Sequence, residues 1–300
     1  MISFASSKHF VLGAALLLSA GCSSSTSSPG SSGGPSGTIY FEDTQNNLMT
    51  VDVSSGKLTG VVLADMPNVR PSDKWILCNL ARNLVFVSPD GSRNQTVLTS
   101  SYPDFGYAYS FSDPQLSPDG KYIAYGQDTK IVYIVNASTG ALVQSIGSAT
   151  TLQYYSRPGW GKDGSLYVQA VPYAGVQTGG GIFKVDNTFR TMVRIDQNLN
   201  TPIEPKVSPD GNSIAFSINN QLWVMGIDGS NAKQLTSTTD IELAPAWSPD
   251  GKWIAVNTNQ CDILLVPTDG SAIVDMGIKF PTSIGGGYHC PSSDDQMDWK

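Results

Sequence analysis

One twelve-residue pattern returns along this chain, and a chain that repeats itself every 40 to 47 residues has few ways to fold. Pro114-Gln-Leu-Ser-Pro-Asp-Gly-Lys-Tyr-Ile-Ala-Tyr125 recurs as Pro205-Lys-Val-Ser-Pro-Asp-Gly-Asn-Ser-Ile-Ala-Phe216 and as Pro245-Ala-Trp-Ser-Pro-Asp-Gly-Lys-Trp-Ile-Ala-Val256. Degenerate copies start at Pro67 and Pro158, so the leading prolines are spaced by 47, 44, 47 and 40 residues. Such a period marks an array of small units, each unable to bury its apolar face without a neighbour.

Each copy reads as strand, tight turn, strand. Proline presets φ, aspartate bonds its own turn, and glycine takes φ > 0 without steric cost. Ile-Ala-Tyr, Ile-Ala-Phe and Ile-Ala-Val then form the second strand. A further hairpin follows 15 to 20 residues later, as in Leu222–Ser230 and Ile263–Ser271. Ser88-Pro-Asp-Gly91 belongs to such a second hairpin and adds no unit. From Thr38 onward no helical period is sustained, so the class is all-β. Leu48–Gly56 is a second hairpin whose unit lacks a Pro-initiated first strand. Pro291 lies 46 residues beyond Pro245, and Gln296–Trp299 is expected to supply the missing strand. The pattern therefore predicts an all-β, six-bladed β-propeller over residues 38–300. Its blades are four-stranded and antiparallel, and the C-terminal segment closes the first blade and leaves no free sheet edge to invite pairing.

The segment before the repeats has a different character. Residues 1–21 carry Lys8, an apolar run from Phe10 to Ala20, and then Ser19-Ala20-Gly21 ahead of Cys22. The run is too short for the roughly 20 residues that span a bilayer, and its flanks fit a secretory signal. Small residues before Cys22 resemble a bacterial lipobox, which implies a signal peptide over 1–21 and lipidation of Cys22. Residues 22–37, rich in Ser, Gly and Pro, are expected to be a flexible linker. The expected address is the cell envelope, as an outer-membrane lipoprotein facing the periplasm or the cell surface.

Composition removes several functions. Hydrophobic residues make up 40% of the chain, enough for a core, while charged residues are only 14% with a net charge of −7. An acidic chain without a Lys/Arg block has no footprint for phosphate backbones, so nucleic acid is not an expected partner. His9 and His289 are the two histidines, too few for multi-His metal sites, and no metal or cofactor is expected. The recurrent Asp-Gly pairs are turn chemistry, since none sits in the dense run of oxygen donors calcium takes. In an oxidising envelope Cys261 and Cys290 are expected to form a disulfide across the closing segment, with Cys78 a buried thiol.

The residues just before the leading prolines should encircle one end of the central channel: Met66, Asp113, Arg157, Glu204, Ala244 and Cys290, with Glu242 and His289 close by. Aromatics crowd the same connections, namely Tyr102, Phe105, Tyr107, Tyr109 and Phe111, then Tyr154 and Tyr155. Exposed aromatics beside a few charges suit peptide or sugar recognition, so Asp113, Tyr155, Arg157, Glu204, Glu242, His289, Tyr109 and Phe111 are the candidate binding residues.

The Pro-x-Trp-Ser-Pro-Asp-Gly strands, with their downstream Val224-Met-Gly-Ile-Asp-Gly-Ser230 hairpin, resemble the repeats of TolB-type propellers of the bacterial periplasm. Related repeats occur in prolyl oligopeptidase-like enzymes and in oligogalacturonate lyases. The resemblance covers residues 38–300 and implies a non-catalytic module, expected to be a monomer, that binds an envelope protein or peptide. From Thr38 onward no Gly-x-Ser-x-Gly nucleophile elbow occurs, and the His and metal-ligand clusters of the lyases are absent. The alternative is a glycan- or peptide-acting lyase or hydrolase using Glu204 or Glu242 with His289 or Arg157.

Overall fold

The computed structural model describes residues 34–42, 47–80, 83–99, 111–127, 131–147, 153–172, 180–197, 199–240, 242–259, 262–279 and 297–300. Cys22, Tyr109, Cys261, His289 and Cys290, and with them the expected lipidation site and disulfide, lie outside the described residues.

The strands form six four-stranded antiparallel sheets. From the channel outward, blade 2 consists of Asp65–Val69, Ile76–Leu80, Asn83–Val87 and Asn94–Thr99. Blades 3 to 6 repeat this order, with inner strands Ser112–Leu116, Gln153–Trp160, Ile203–Val207 and Glu242–Trp247. Blade 1 takes Thr38–Glu42, Asn47–Asp52 and Lys57–Leu63 from one end of the chain and Asp298–Trp299 from the other. Each inner strand touches the next, and Asp298–Trp299 lies between those of blades 6 and 2, so the ring closes. Trp299 pairs with Ile39 as Trp247 pairs with Ile254. That register aligns Met297-Asp298-Trp299 with Pro245-Ala246-Trp247, so the closing strand begins downstream of Pro291.

The core is six slabs, one between each pair of neighbouring blades. Side chains alternate across a strand with period two, and the Ile-Ala-x motif exploits this. Ile214 and Phe216 face blade 4, while Ala215 faces blade 6. Likewise Ile123 and Tyr125 pack on blade 2 and Ala124 on blade 4. Ala255 plays the same part toward blade 1, so three of the slabs take a bulky face from one blade and a small residue from the other, while Tyr40, Leu77 and Tyr167 fill the corresponding position in the remaining three. Cys78 is a buried thiol in the slab between blades 1 and 2.

The Ser-Pro-Asp-Gly turns share one hydrogen-bond scheme. Ser117 Oγ donates to Asp119 Oδ1 at 2.7 Å and accepts from the Tyr122 amide at 3.0 Å. The scheme repeats at Ser208 with Asp210 and Ser213, and at Ser248 with Asp250 and Trp253. Gly120, Gly211 and Gly251 take φ of 72°, 79° and 71°, the left-handed values that make glycine the fourth residue. Ser88 and Asp90 build the same turn between the third and fourth strands of blade 2, at its second hairpin.

Candidate functional site

Five residues preceding the leading prolines share an unusual backbone. Met66, Asp113, Arg157, Glu204 and Ala244 have φ of 53°, 52°, 52°, 59° and 53°. Each coincides with a register shift in its inner strand. A bulge re-aims the side chain it carries, and a left-handed non-glycine residue persists only where its surroundings hold it.

The surroundings here are the other members of the ring. Met66 Sδ accepts from the Asp113 amide at 3.2 Å. The Arg157 guanidinium lies 3.8 Å from Asp113 Oδ1 and 3.0 Å from Glu204 Oε1. Glu204 Oε2 accepts from the Ala244 amide at 2.6 Å, and the Glu204 amide donates to Gln169 Oε1 at 2.9 Å. A continuous chain of contacts therefore runs through blades 2 to 6. Side-chain exposure is 1% at Glu204, 6% at Asp113 and 14% at Arg157. Burial pushes the Glu204 carboxyl above the usual carboxylate range, opposed first by the Arg157 guanidinium and then by the Ala244 amide.

The next residue but one along each inner strand forms a second layer: Asp298, Asn68, Gln115, Gly159, Lys206 and Ala246. Asp298 Oδ2 accepts from the Val69 amide at 2.7 Å, and Asn68 Oδ1 from the Leu116 amide at 2.9 Å. Asn68 Nδ2 donates to Gln115 Oε1 at 3.1 Å, and Lys300 pairs with Asp298 at 3.1 Å. Beyond it, the motif tryptophans tie blades together. The Trp160 indole donates to the Gln115 carbonyl and the Trp247 indole to the Lys206 carbonyl, both at 2.9 Å.

This layer lines one side of a cavity of about 380 Å³ whose walls also include Trp160, Trp247, Leu116 and Val207. Its mouth is collared by Pro71, Pro118, Pro209 and Pro249, all exposed, with Lys162 exposed where blade 4 lacks the proline. This is the Pro-Asp-Gly end of the channel, opposite the ring.

The sequence-derived candidates divide accordingly. Asp113, Arg157 and Glu204 come together, as interlocked interior groups. Phe111 is 7% exposed and packs edge-on against Tyr125 between blades 2 and 3. Tyr155, also 7% exposed, packs between blades 3 and 4 against Phe183, its hydroxyl donating to Gln153. Glu242 begins the inner strand of blade 6, opposite Thr258. Lys206 was absent from the candidate set. Its signal was available, since the same position is small or neutral in four of the other five units.

The profile of one protein family, described as TolB beta propeller domain, matches residues 78–266. The chain belongs to the TolB beta propeller domain family. Similar curated proteins include an uncharacterized protein of Agrobacterium fabrum, 25% identical over 217 residues, 69% of this chain and 70% of that one. Dipeptidyl-peptidase 5 of Porphyromonas gingivalis is 32% identical over 99 residues, 30% of this chain but 13% of the peptidase. The chain thus spans only about an eighth of that relative's length. The Tol-Pal system protein TolB of Anaeromyxobacter dehalogenans is 48% identical over 44 residues, 13% of this chain and 10% of that protein. Among solved structures, putative TolB from Agrobacterium tumefaciens superposes with a TM-score of 0.59 at 20% identity, covering 89% of this chain and 99% of that one. TolB from Acinetobacter baumannii gives 0.64 at 17% identity, covering 88% and 66%. At such identities the likeness is one of fold, and a propeller fold is shared by many activities. Among the described residues no helix is long and apolar enough to cross a membrane.

Proposed function

We propose that this chain is a lipid-anchored module of the bacterial cell envelope that binds a protein or peptide partner at a channel mouth and performs no chemistry on it. The carrying observation is the division of labour in the channel. Asp113 and Glu204, the ring carboxylates an enzyme would use, are buried and engaged with Arg157, and Glu204 also holds the Ala244 amide. A general acid or base must come within hydrogen-bond reach of its substrate, and Glu204 at 1% exposure offers no such surface. The cavity at the other end is concave, tryptophan-walled and rimmed by rigid prolines, the setting in which a partner's side chain or terminus is gripped. Lipidation at Cys22 supplies the tether, and residues 22–37 give the propeller reach.

A photo-crosslinking residue in place of Lys162, at the mouth, tests this, with Leu142, 63% exposed on the outer strand of blade 3, as control. One discrete protein adduct is expected at position 162 and not at 142. The adducted protein, once purified, should bind the Trp247→Ala variant at least about tenfold more weakly than wild type. Identical adducts at both positions, or turnover of envelope glycans or peptides lost in Glu204→Gln, would overturn the reading. Incorporation of labelled fatty acid that survives Cys22→Ala would remove the anchor.

A further inference from the structure

Within the second channel layer one residue stands apart. Asp298 and Asn68 each hold an amide of the next blade, and Gln115 is bonded to Asn68. Lys206, in blade 5, has Gly159 and Ala246 as its counterparts in the flanking blades, and neither offers it a polar side chain. Among the described residues its ammonium has no hydrogen bond and no carboxylate within 4 Å. The charged groups facing it are Asp113 from blade 3, Arg157 from blade 4, Glu204 from its own strand and Asp298 from blade 1. Glu204 and Asp113 are tied to Arg157, and Asp298 to Lys300 and the Val69 amide. Burial pulls the Lys206 ammonium below the ordinary lysine range, although Asp113 and Asp298 oppose the shift. Lys206 is half-buried, and a desolvated charge is normally paired; here the facing carboxylates are already committed elsewhere.

The cavity that Lys206 lines opens through the proline collar, and Trp160 and Trp247 form part of its wall. Its volume of about 380 Å³ sits toward the small end of the roughly 300–1,000 Å³ typical of ligand pockets. It has room for a few residues of an extended peptide. We propose that this cavity binds the free C-terminus of a peptide, with the terminal carboxylate on Lys206 and the last side chain against Trp160 and Trp247. The inference rests on the partner-binding reading and names the partner's chemistry. A monoanion suits the site better than a phosphate dianion. Of the three lysines that line the cavity, Lys300 is paired with Asp298 and Lys162 stands exposed at the mouth, which leaves Lys206, and the Val69 and Leu116 amides are spent on Asp298 and Asn68.

The test titrates the full chain with N-acetyl-Ala-Ala-Leu as free acid, with its C-terminal amide, and with acetate, followed by calorimetry and by tryptophan fluorescence. The acid is expected to bind at least about tenfold more tightly than the amide or acetate. Lys206→Met should erase the preference for acid over amide, and Lys206→Arg should keep it. Equal binding of acid and amide overturns the proposal, as does acetate binding as tightly as the peptide, or a preference surviving in Lys206→Met. Should Lys206→Met fail to fold, a pH series on wild type decides. The acid's advantage should fade below the ordinary lysine pKa of about 10.4, and an advantage constant up to that pH overturns the assignment. Loss of the acid preference while the position-162 adduct persists removes the carboxylate and leaves the partner reading standing.

Discussion

The two layers of the channel are built from equivalent positions of the same repeat, two residues apart on each inner strand, yet they are chemically opposite. In the upper ring Met66, Asp113, Arg157, Glu204 and Ala244 engage one another across blades 2 to 6, Glu204 Oε1 through its ion pair with Arg157 rather than a hydrogen bond. In the lower layer the interlocking covers blades 1 to 3 and stops, leaving Lys206 between Gly159 and Ala246. Charge in the channel is therefore not by itself a sign of function. A polar group whose bonds are all made inside the protein is part of the scaffold, and one whose bonds are not made is available to a ligand.

The strongest way to break this contrast is to strip the ring of its cation. Arg157→Met leaves Glu204 and Asp113 buried without their counter-charge and should cost about 3–5 kcal/mol in urea denaturation. The double variant Arg157→Met with Glu204→Gln should recover part of that loss, because the unpaired charge at Glu204 is gone while a side-chain oxygen remains for the Ala244 amide. An Arg157→Met protein as stable as wild type would show that the ring is not a structural clasp, and would return its carboxylates to the pool of catalytic candidates.

Much of the scaffold was legible from the sequence because its causes are local. The Pro-x-x-Ser-Pro-Asp-Gly run dictates its own turn, Ile-Ala-Phe dictates which face is bulky, and the displaced hairpin at Leu48–Gly56 betrays a blade completed from the far end. The positive φ before each leading proline was not legible. Met, Asp, Arg, Glu and Ala share no backbone preference for that region, and it is the neighbouring blade that imposes it. Phe111 and Tyr155 illustrate a second limit, since an aromatic residue beside an inner strand looks the same in sequence whether it wedges between blades or faces solvent. The isolation of Lys206 is a relation among three blades, separated by 47 and 40 residues in the chain, and becomes visible only once those blades are in register.

The turns sharpen the contrast at intermediate scale, because their polar groups are bonded within the protein like the ring's, but with the serines buried and the aspartate carboxylates in solvent. Ser248→Ala removes the hydroxyl that accepts from the Trp253 amide and donates to Asp250, and should cost about 1 kcal/mol in the same denaturation measurement. The turn carboxylates carry a pH signature as well. Bonds from Ser88 and Ser92 hold Asp90 at a pKa of about 2, and Lys121, with Ser117 assisting, holds Asp119 at about 2. Groups with depressed folded-state pKa values contribute stability above the unfolded value near 3.9 and lose it as pH falls toward 2. Glu204 has the opposite sign, since its raised folded-state pKa favours the fold as pH falls. The melting temperature should therefore drop across pH 4 to 2, and Asp119→Asn should shallow that drop. An acid limb unchanged in Asp119→Asn would mean that this turn adds nothing through its charge.

The smallest effect is expected where the contrast is sharpest. Lys206 makes no ion pair among the described residues, and burial disfavours its charged form. Replacing a desolvated, unpaired cation by an apolar chain of similar length removes a penalty and breaks no bond. Lys206→Met should thus melt at or slightly above the wild-type temperature, a change within about 0.5 kcal/mol, even though it lies one layer from Arg157, whose loss is expected to be severe. The gain should grow as pH falls from 10 to 7, because protonating the wild-type lysine is what the fold resists there. A Lys206→Met protein destabilised as strongly as Arg157→Met would place Lys206 in the scaffold with the ring, and the channel would then hold no group left over for a ligand.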